Sequence, residues 1–360
     1  MSSFAAVGLI ILFILIVWLI AERFILKKYG LRNILYSREF SDDSVFEGEE
    51  TLVLEKIENR KLLPVPLLLI ESAVDESMEF ASQRNLVIRH GFYHLSSFFL
   101  PPYMRIKRKH KVRLMKRGCY YLTEAALNCC TLYGLLTDTR IAKFSTRIVV
   151  YPKLIPLNDI PFPSRSWQGD TIVQRWIVDD PFLIAGARPY RQGDPMNRIN
   201  WKATARSGSL HSHNTEYTAS PKIMICLCFD INDEMWDRVT EPDRIEKGIS
   251  CAASVSAQMI RKGVQTGLIC NGRTADGDKV SPFIYLEPKT GEMQSRTVLE
   301  KLATLTMIRS YSFNSLLQNF INKKDFTTAI LVITPYVSGR LRKQLGYFRS
   351  HGGSTDIIEV

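Results

Sequence analysis

Residues Phe4 to Ala21 read FAAVGLIILFILIVWLIA, eighteen positions without a charged or strongly polar side chain. As a helix rising about 1.5 Å per residue, such a run covers about 27 Å, close to the roughly 30 Å hydrocarbon core of a bilayer. Trp18 falls near one end, where interfacial aromatics belong. No basic segment precedes the run and no A-x-A site follows, so a cleaved signal peptide fits poorly. The residues before the run hold no Lys or Arg, whereas Arg23, Lys27, Lys28 and Arg32 follow it. The positive-inside rule therefore predicts a single-pass cell-membrane protein with most of its chain in the cytoplasm. Leu62 to Ile70 is also apolar, but it is short and contains Pro64 and Pro66.

The remaining sequence is that of ordinary globular protein. It is 46% hydrophobic and 23% charged, and its mean hydropathy is −0.05, which excludes a polytopic membrane protein. Its 360 residues leave room for two or three domains. A formal net charge of +11 favours an anionic partner. Seven cysteines occur without a C-x-x-C pair, which predicts free thiols in a reducing compartment rather than a disulfide or zinc framework.

Pattern changes along the chain predict its organisation. A transmembrane anchor over residues 1–22 precedes a juxtamembrane linker over 23–40. Short alternating runs such as ETLVLEKIEN, LPVPLLLIES, FYHLSSFFLPPY and TRIVVYPKL make 41–152 a β-rich domain, an antiparallel β-sandwich or small barrel. Residues 153–220 form a connector dense in Pro, Gly and Arg. Over 221–360, buried strands (KIMICLCFD, VQTGLICN, KVSPFIYLEP, TTAILVITP, STDIIEV) alternate with helical stretches near 240–261, 292–306, 312–322 and 338–350. That alternation predicts a parallel sheet covered by helices on both faces. The fold class is thus α+β multidomain with a Rossmann-like C-terminal domain.

Three clusters could carry function. The first is the signature Arg188, Tyr190, Gly193, Asp194, Arg198, Trp201 and Arg206. Asp194 can pair with an arginine fork, and Tyr190 and Trp201 offer surfaces for guanidinium groups. Such a knot either docks the segment internally or holds an anionic group. The second is the basic patch Arg105, Lys107, Arg108, Lys109, Lys111, Arg113, Lys116 and Arg117, with no acid among them. An aggregation-resistant edge strand, a contact with anionic lipid or an acidic partner, and nucleic-acid binding all account for it, the last least well because no aromatic lies inside the run. The third is the strand end Asp230, Asn232 and Glu234, hard oxygen donors in a loop. No Walker loop, nucleophile elbow, HExxH or G-x-G-x-x-G is present, and His211 with His213 makes only two ligands of a metal set.

The signature, written Arg-x-Tyr-x-x-Gly-Asp-x-x-x-Arg-Ile-x-Trp-x-x-x-Ala-Arg, resembles that of the domain-of-unknown-function 58 family. The order anchor, β-rich region, signature and α/β domain is similar as well, as are Arg117 to Tyr120 and Val150 to Pro152. The resemblance implies that residues 221–360 form a von Willebrand factor A-like domain and that the partner is a MoxR-type AAA+ ATPase. It also implies a metal-ion-dependent adhesion site at the first strand end. Asp230 matches that site, whereas Asn232 and Glu234 replace its two serines, and Ile333-Thr334-Pro335 stands where an Asp belongs. Asp276 and Asp278 lie in the loop after the second strand and could substitute. The expectation is a degraded site with no cofactor, or Mg²⁺ held partly by Asp230. The preferred reading is therefore a non-catalytic, membrane-anchored scaffold or adaptor. Its alternatives are a divalent-metal hydrolase and a nucleic-acid- or anionic-lipid-binding membrane protein.

Overall fold

The computed structural model describes the chain except residues 1, 81–85, 90–92, 161–178, 191–195, 197–198, 218–221, 233–238, 278 and 324. It divides into two compact units, Met1–Tyr151 and Pro152–Val360.

The first unit opens with α1 (Ser2–Tyr29), whose stretch Val7–Tyr29 is long and apolar enough to cross a membrane. The helix runs on through the basic flank beyond Ala21. Where a linker over 23–40 was expected, helix therefore gives way almost directly to strand. The turn between them is fixed by contacts. Leu26 and Leu31 are buried with Ile34, Ile57 and Cys129. Gly30 fits where a Cβ would lie 2.3 Å from the Leu26 carbonyl oxygen and 2.7 Å from Cys129 Sγ. Lys61 Nζ donates to the carbonyls of Tyr29 (2.7 Å), Gly30 and Arg32 (2.9 Å), so a cation closes the helix end and the turn after it, where the helix dipole favours positive charge.

Ten strands follow: β1 (Ile34–Phe40), β2 (Ser44–Phe46), β3 (Glu50–Asn59), β4 (Val65–Ala73), β5 (Met78–Phe80), β6 (Leu86–Arg89), β7 (Tyr93–Leu100), β8 (Arg105–Leu114), β9 (Gly118–Cys130) and β10 (Leu136–Tyr151). They form one sheet in the order β1-β3-β8-β5 and another in the order β2-β10-β9-β4-β7-β6. Pairing is antiparallel throughout except between β2 and β10. Alternation sends every second side chain inward, and the inner sets interdigitate. One cluster joins Val53 and Val112 of the first sheet to Leu122, Ile148 and Val150 of the second.

The second unit contains β11 (Asp179–Pro189), α2 (Trp201–Ser207) and β12 (His211–Tyr217), with β11 and β12 paired antiparallel. Then come β13 (Lys222–Leu227), α3 (Pro242–Arg261), β14 (Gln265–Cys270), β15 (Gly272–Asp276), β16 (Lys279–Ser281), β17 (Ile284–Lys289), α4 (Glu292–Ala303), β18 (Leu305–Arg309), α5 (Phe313–Ile321), β19 (Thr328–Thr334), α6 (Gly339–Ser350) and β20 (Thr355–Glu359). The larger sheet has the order β17-β14-β13-β19-β20, and β13, β14, β19 and β20 run parallel. α5 and α6 share one apolar cluster with Met224, Cys226, Ile330 and Val332. The opposite strand face meets α3, where the Gly248 position lies close to Leu227 and Ile333.

Two details differ from expectation. β17 is antiparallel to β14. The chain between them makes the small β15–β16 hairpin rather than a helical crossover, and a strand reached without a crossover returns in the opposite direction. The stretch 292–306 is helix only to Ala303, because Leu305–Arg309 leaves it to pair with β15. α3 starts at Pro242, and its cap residue Glu241 makes no side-chain capping bond. All seven cysteines are free thiols, and all but Cys119 are buried.

Candidate functional site

The carboxyl ends of β13 and β14 bring Asp230 beside Asn271. Asp230 Oδ1 accepts 2.6 Å from Asn271 Nδ2 and lies 3.3 Å from Arg309 Nη1, while Oδ2 accepts 3.0 Å from the amide of Phe313 at the start of α5. Asn271 also accepts from the Phe229 amide (2.8 Å) and donates to the Tyr311 carbonyl (2.9 Å). The Phe313 bond meets a helix N-terminus, where a carboxylate is favoured. Asp230 thus ties together two strand ends, β18 and α5. Asn271 and Arg309 went unremarked in the sequence, although an Asn directly after a buried strand is a recognisable polar end signal. Gly272 permits the arrangement, since a Cβ there would lie 2.7 Å from the Phe229 ring.

Among the described residues both Asp230 oxygens face donors, the Asn271 and Phe313 N–H groups and the Arg309 guanidinium. Asn232 is exposed, and Glu234 lies outside the described residues. Asp276 sits at the far end of β15, opposite Lys279. Four residue steps at about 3.3 Å carry it about 13 Å from Gly272, away from Asp230. Thr334 is buried and donates to the Tyr336 carbonyl (2.6 Å). Among the described residues no group of three or more His, Cys, Asp and Glu could hold a metal ion.

Among the described residues near this buried knot, aromatic side chains are exposed. Tyr311 (51% exposed) and Phe283 (39% exposed) meet edge to face, with centroids 5.9 Å apart. Tyr336, after β19, is exposed at the same ends of the parallel strands. Arg244 of α3 holds that loop by donating to the Pro335 carbonyl (2.6 Å).

The signature is divided. Gly193, Asp194 and Arg198 lie outside the described residues. Arg188 stands on β11, and the Tyr190 amide donates to the Leu210 carbonyl (2.9 Å). Trp201 and Arg206 belong to α2, which Asn200 caps by accepting from the Ala203 amide (3.0 Å) and Gly208 ends at φ +73°. Trp201 is 66% exposed. His211 Nδ1 is engaged by Ser207 Oγ (2.9 Å) and the Ser209 carbonyl (2.8 Å).

The basic patch is also divided, by strand alternation. Arg105, Lys107, Lys109, Lys111 and Arg113 point outward from β8. Arg108 turns inward, with its guanidinium 3.9 Å from the Phe98 ring centre. Lys116 and Arg117 occupy the following turn. β3 supplies partly matching acids, with Glu58 opposite Arg105 and Glu50 opposite Arg113. Glu58 contacts Arg105 at 2.9 Å and Arg60 at 2.8 Å. Among the described residues β8 is doubly paired only at its carboxyl end. β3 pairs along nearly all of it, and β5 covers Val112–Leu114 on the other side.

The inward positions hold a cluster that sequence reasoning missed. Register places Arg38, Glu55 and Arg108 in one cross-strand row, and Arg38, Glu55, His94 and His110 are all buried. Glu55 accepts from Tyr36 Oη (2.9 Å) and lies 3.0 Å from His110 Nε2. Arg38 Nη1 donates to Ser72 Oγ. Burial first, then the neighbouring Arg38, His110 and Arg108, pull the His94 imidazole down to about 2. Burial, then the Glu55 carboxylate, push the Tyr36 phenol far above its usual range. The sequence signal was present as charged residues sharing the parity of the core Ile34, Ile57 and Val112.

Residues 186–319, from β11 into α5, match the model of a family described as "Protein of unknown function DUF58". A curated relative, "Uncharacterized protein YeaD" of Bacillus subtilis (strain 168), is 19% identical over 250 residues. The match covers 69% of this chain and spans 58% of that protein. Among solved structures, a non-cellulosomal cohesin from Archaeoglobus fulgidus aligns with 32% of this chain and 90% of its own at 12% identity and a TM-score of 0.23. Native alpha-2-macroglobulin from Escherichia coli aligns with 34% of this chain and 24% of its own at 11% identity and a TM-score of 0.27. Likenesses at those scores carry no argument. What the comparisons establish is a DUF58 domain match over residues 186–319 and a distant homology to YeaD.

Proposed function

We propose that the protein is a membrane-anchored adaptor whose α/β domain docks a protein partner on the carboxyl ends of its parallel strands. The observation that carries this reading is the exposed Tyr311–Phe283 pair above the buried Asp230–Asn271–Arg309 knot. Exposed aromatics on a rigid base have the character of binding hot spots. Strand ends of an open α/β sheet are the usual place for a ligand to sit.

The domain is taken to be of the von Willebrand factor A-like kind. Its order β17-β14-β13-β19-β20 reads 3-2-1-4-5 from the first strand, the order of doubly wound sheets. On this reading Asp230 has exchanged a metal-binding role for a structural one. The signature's resemblance gives the partner class, a MoxR-type AAA+ ATPase, and α1 crosses the membrane with the body of the chain on the cytoplasmic side.

A photocrosslinking amino acid at Tyr311 in the full-length protein, irradiated in cells, tests the face. A crosslinked AAA+ ATPase absent from a Val280-labelled control is the expected result. Identical crosslinks from both positions would contradict it.

A further inference from the structure

The tip of the β9–β10 hairpin, Thr131 to Leu136, lies alongside α1. The Tyr133 ring meets Trp18 edge to face at 6.5 Å, and the Leu132 amide donates to Glu22 Oε1 (3.1 Å). Leu15, Leu19 and Ile20 of the helix and Tyr133 and Leu135 of the tip line a cleft of about 460 Å³, with Arg23 at its polar end. A helix rises about 1.5 Å per residue, so Leu15 stands about 9 Å from Ala21, inside the apolar span. The hairpin thus runs beside the last turns of the hydrophobic segment instead of stopping below it.

Its composition suits that place. Leu132 (62% exposed), Tyr133, Leu135 (59% exposed) and Leu136 are largely exposed, and no charged residue interrupts Thr131 to Leu136. Its backbone donors are largely satisfied from within. The Thr131 amide donates to the Leu135 carbonyl (2.9 Å), Gly134 to the Thr131 carbonyl (2.9 Å) and Leu135 to Thr131 Oγ1 (3.2 Å). A segment in contact with lipid must meet that requirement, and an exposed aqueous turn need not. Trp18 and Tyr133 together form an interfacial aromatic pair.

We propose that this hairpin tip is a second membrane-embedded element, immersed in the same leaflet as the carboxyl end of α1, with lipid acyl chains filling the cleft between them. The occupant follows from continuity, since the tip extends the apolar surface of a helix that itself needs a bilayer. Arg23, Lys27, Lys28 and Arg32 supply cations beside it for anionic headgroups. The proposal rests on the reading of α1 as a membrane span. It makes the β-domain a body pinned to the bilayer at two places, with its orientation fixed relative to the membrane.

The test uses the full-length chain in vesicles of equal parts phosphatidylcholine and phosphatidylglycerol. Nitroxide labels go on Leu132→Cys, Leu135→Cys, Ile14→Cys and Val280→Cys, all at exposed sites, and the unsubstituted chain measures background from its native cysteines. Collision with oxygen, relative to a water-soluble nickel chelate, should be several-fold higher at positions 132, 135 and 14 than at 280. If Ile14→Cys favours oxygen while both hairpin sites favour nickel, the hairpin inference fails and the span stands. If Ile14→Cys also favours nickel, the span itself fails and takes the hairpin with it.

Discussion

Glu55 is the residue on which the β-domain's interior turns. Its carboxylate is buried among Tyr36, His110 and the Arg38–Arg108 row. A buried pair is costly to assemble but more costly to break, by about 3–5 kcal/mol when one partner is removed. Glu55→Ala should therefore lower stability by that order in urea titrations, and a loss below about 1 kcal/mol would refute the role given to it. His94 adds a pH dependence. The folded state holds its imidazole neutral down to about 2, whereas an unfolded imidazole protonates near pH 6.5. Between those values the unfolded state binds the extra proton, so stability should fall as the pH falls below about 6.5, by up to about 1.4 kcal/mol per pH unit. Melting curves from pH 8 to 5 should show that slope, and His94→Gln should flatten it. In the second unit Asp230→Ala leaves Arg309, Asn271 and the Phe313 amide short of an acceptor. A loss of about 2–4 kcal/mol is expected by denaturant titration, and Mg²⁺ should leave the wild-type midpoint unchanged.

At the scale of elements, the join between α1 and β1 is the most exacting. Lys61→Met removes three bonds, to the last helical carbonyl at Tyr29 and to the turn carbonyls of Gly30 and Arg32, and Gly30→Val forces a side chain onto Leu26 and Cys129. Each should loosen the helix from the β-domain, with faster protease cleavage near Tyr29 and a lower melting temperature. How much could be read beforehand varied with the physics of each element. The apolar helix was legible because nothing else buries eighteen apolar residues in a row, and β13 and β19 because continuous apolar runs mark strands covered on both faces. Arg108 was not legible as an inward residue inside a run of cations, since composition outweighed alternation. β17's direction depends on what the intervening chain folds into. The Asp230 partners come from positions 271, 309 and 313, which only the fold assembles.

At the scale of the molecule, the net charge of +11 gains particular locations. Four cations flank the carboxyl end of α1, and five line the outer face of β8, partly offset by Glu50 and Glu58. The second unit adds a different surface, aromatic and set on buried polar bonds. On the proposed function, labour is divided between a unit that meets the bilayer and one that meets a protein. The most direct test is equilibrium binding of a MoxR-type ATPase from the same cells to the full-length protein in nanodiscs. The wild type should bind saturably. Tyr311→Ala with Phe283→Ala should weaken binding at least about tenfold, about 1.4 kcal/mol, with the melting temperature retained. Undetectable binding by the wild type, or equal binding by the doubly substituted protein, would contradict the account.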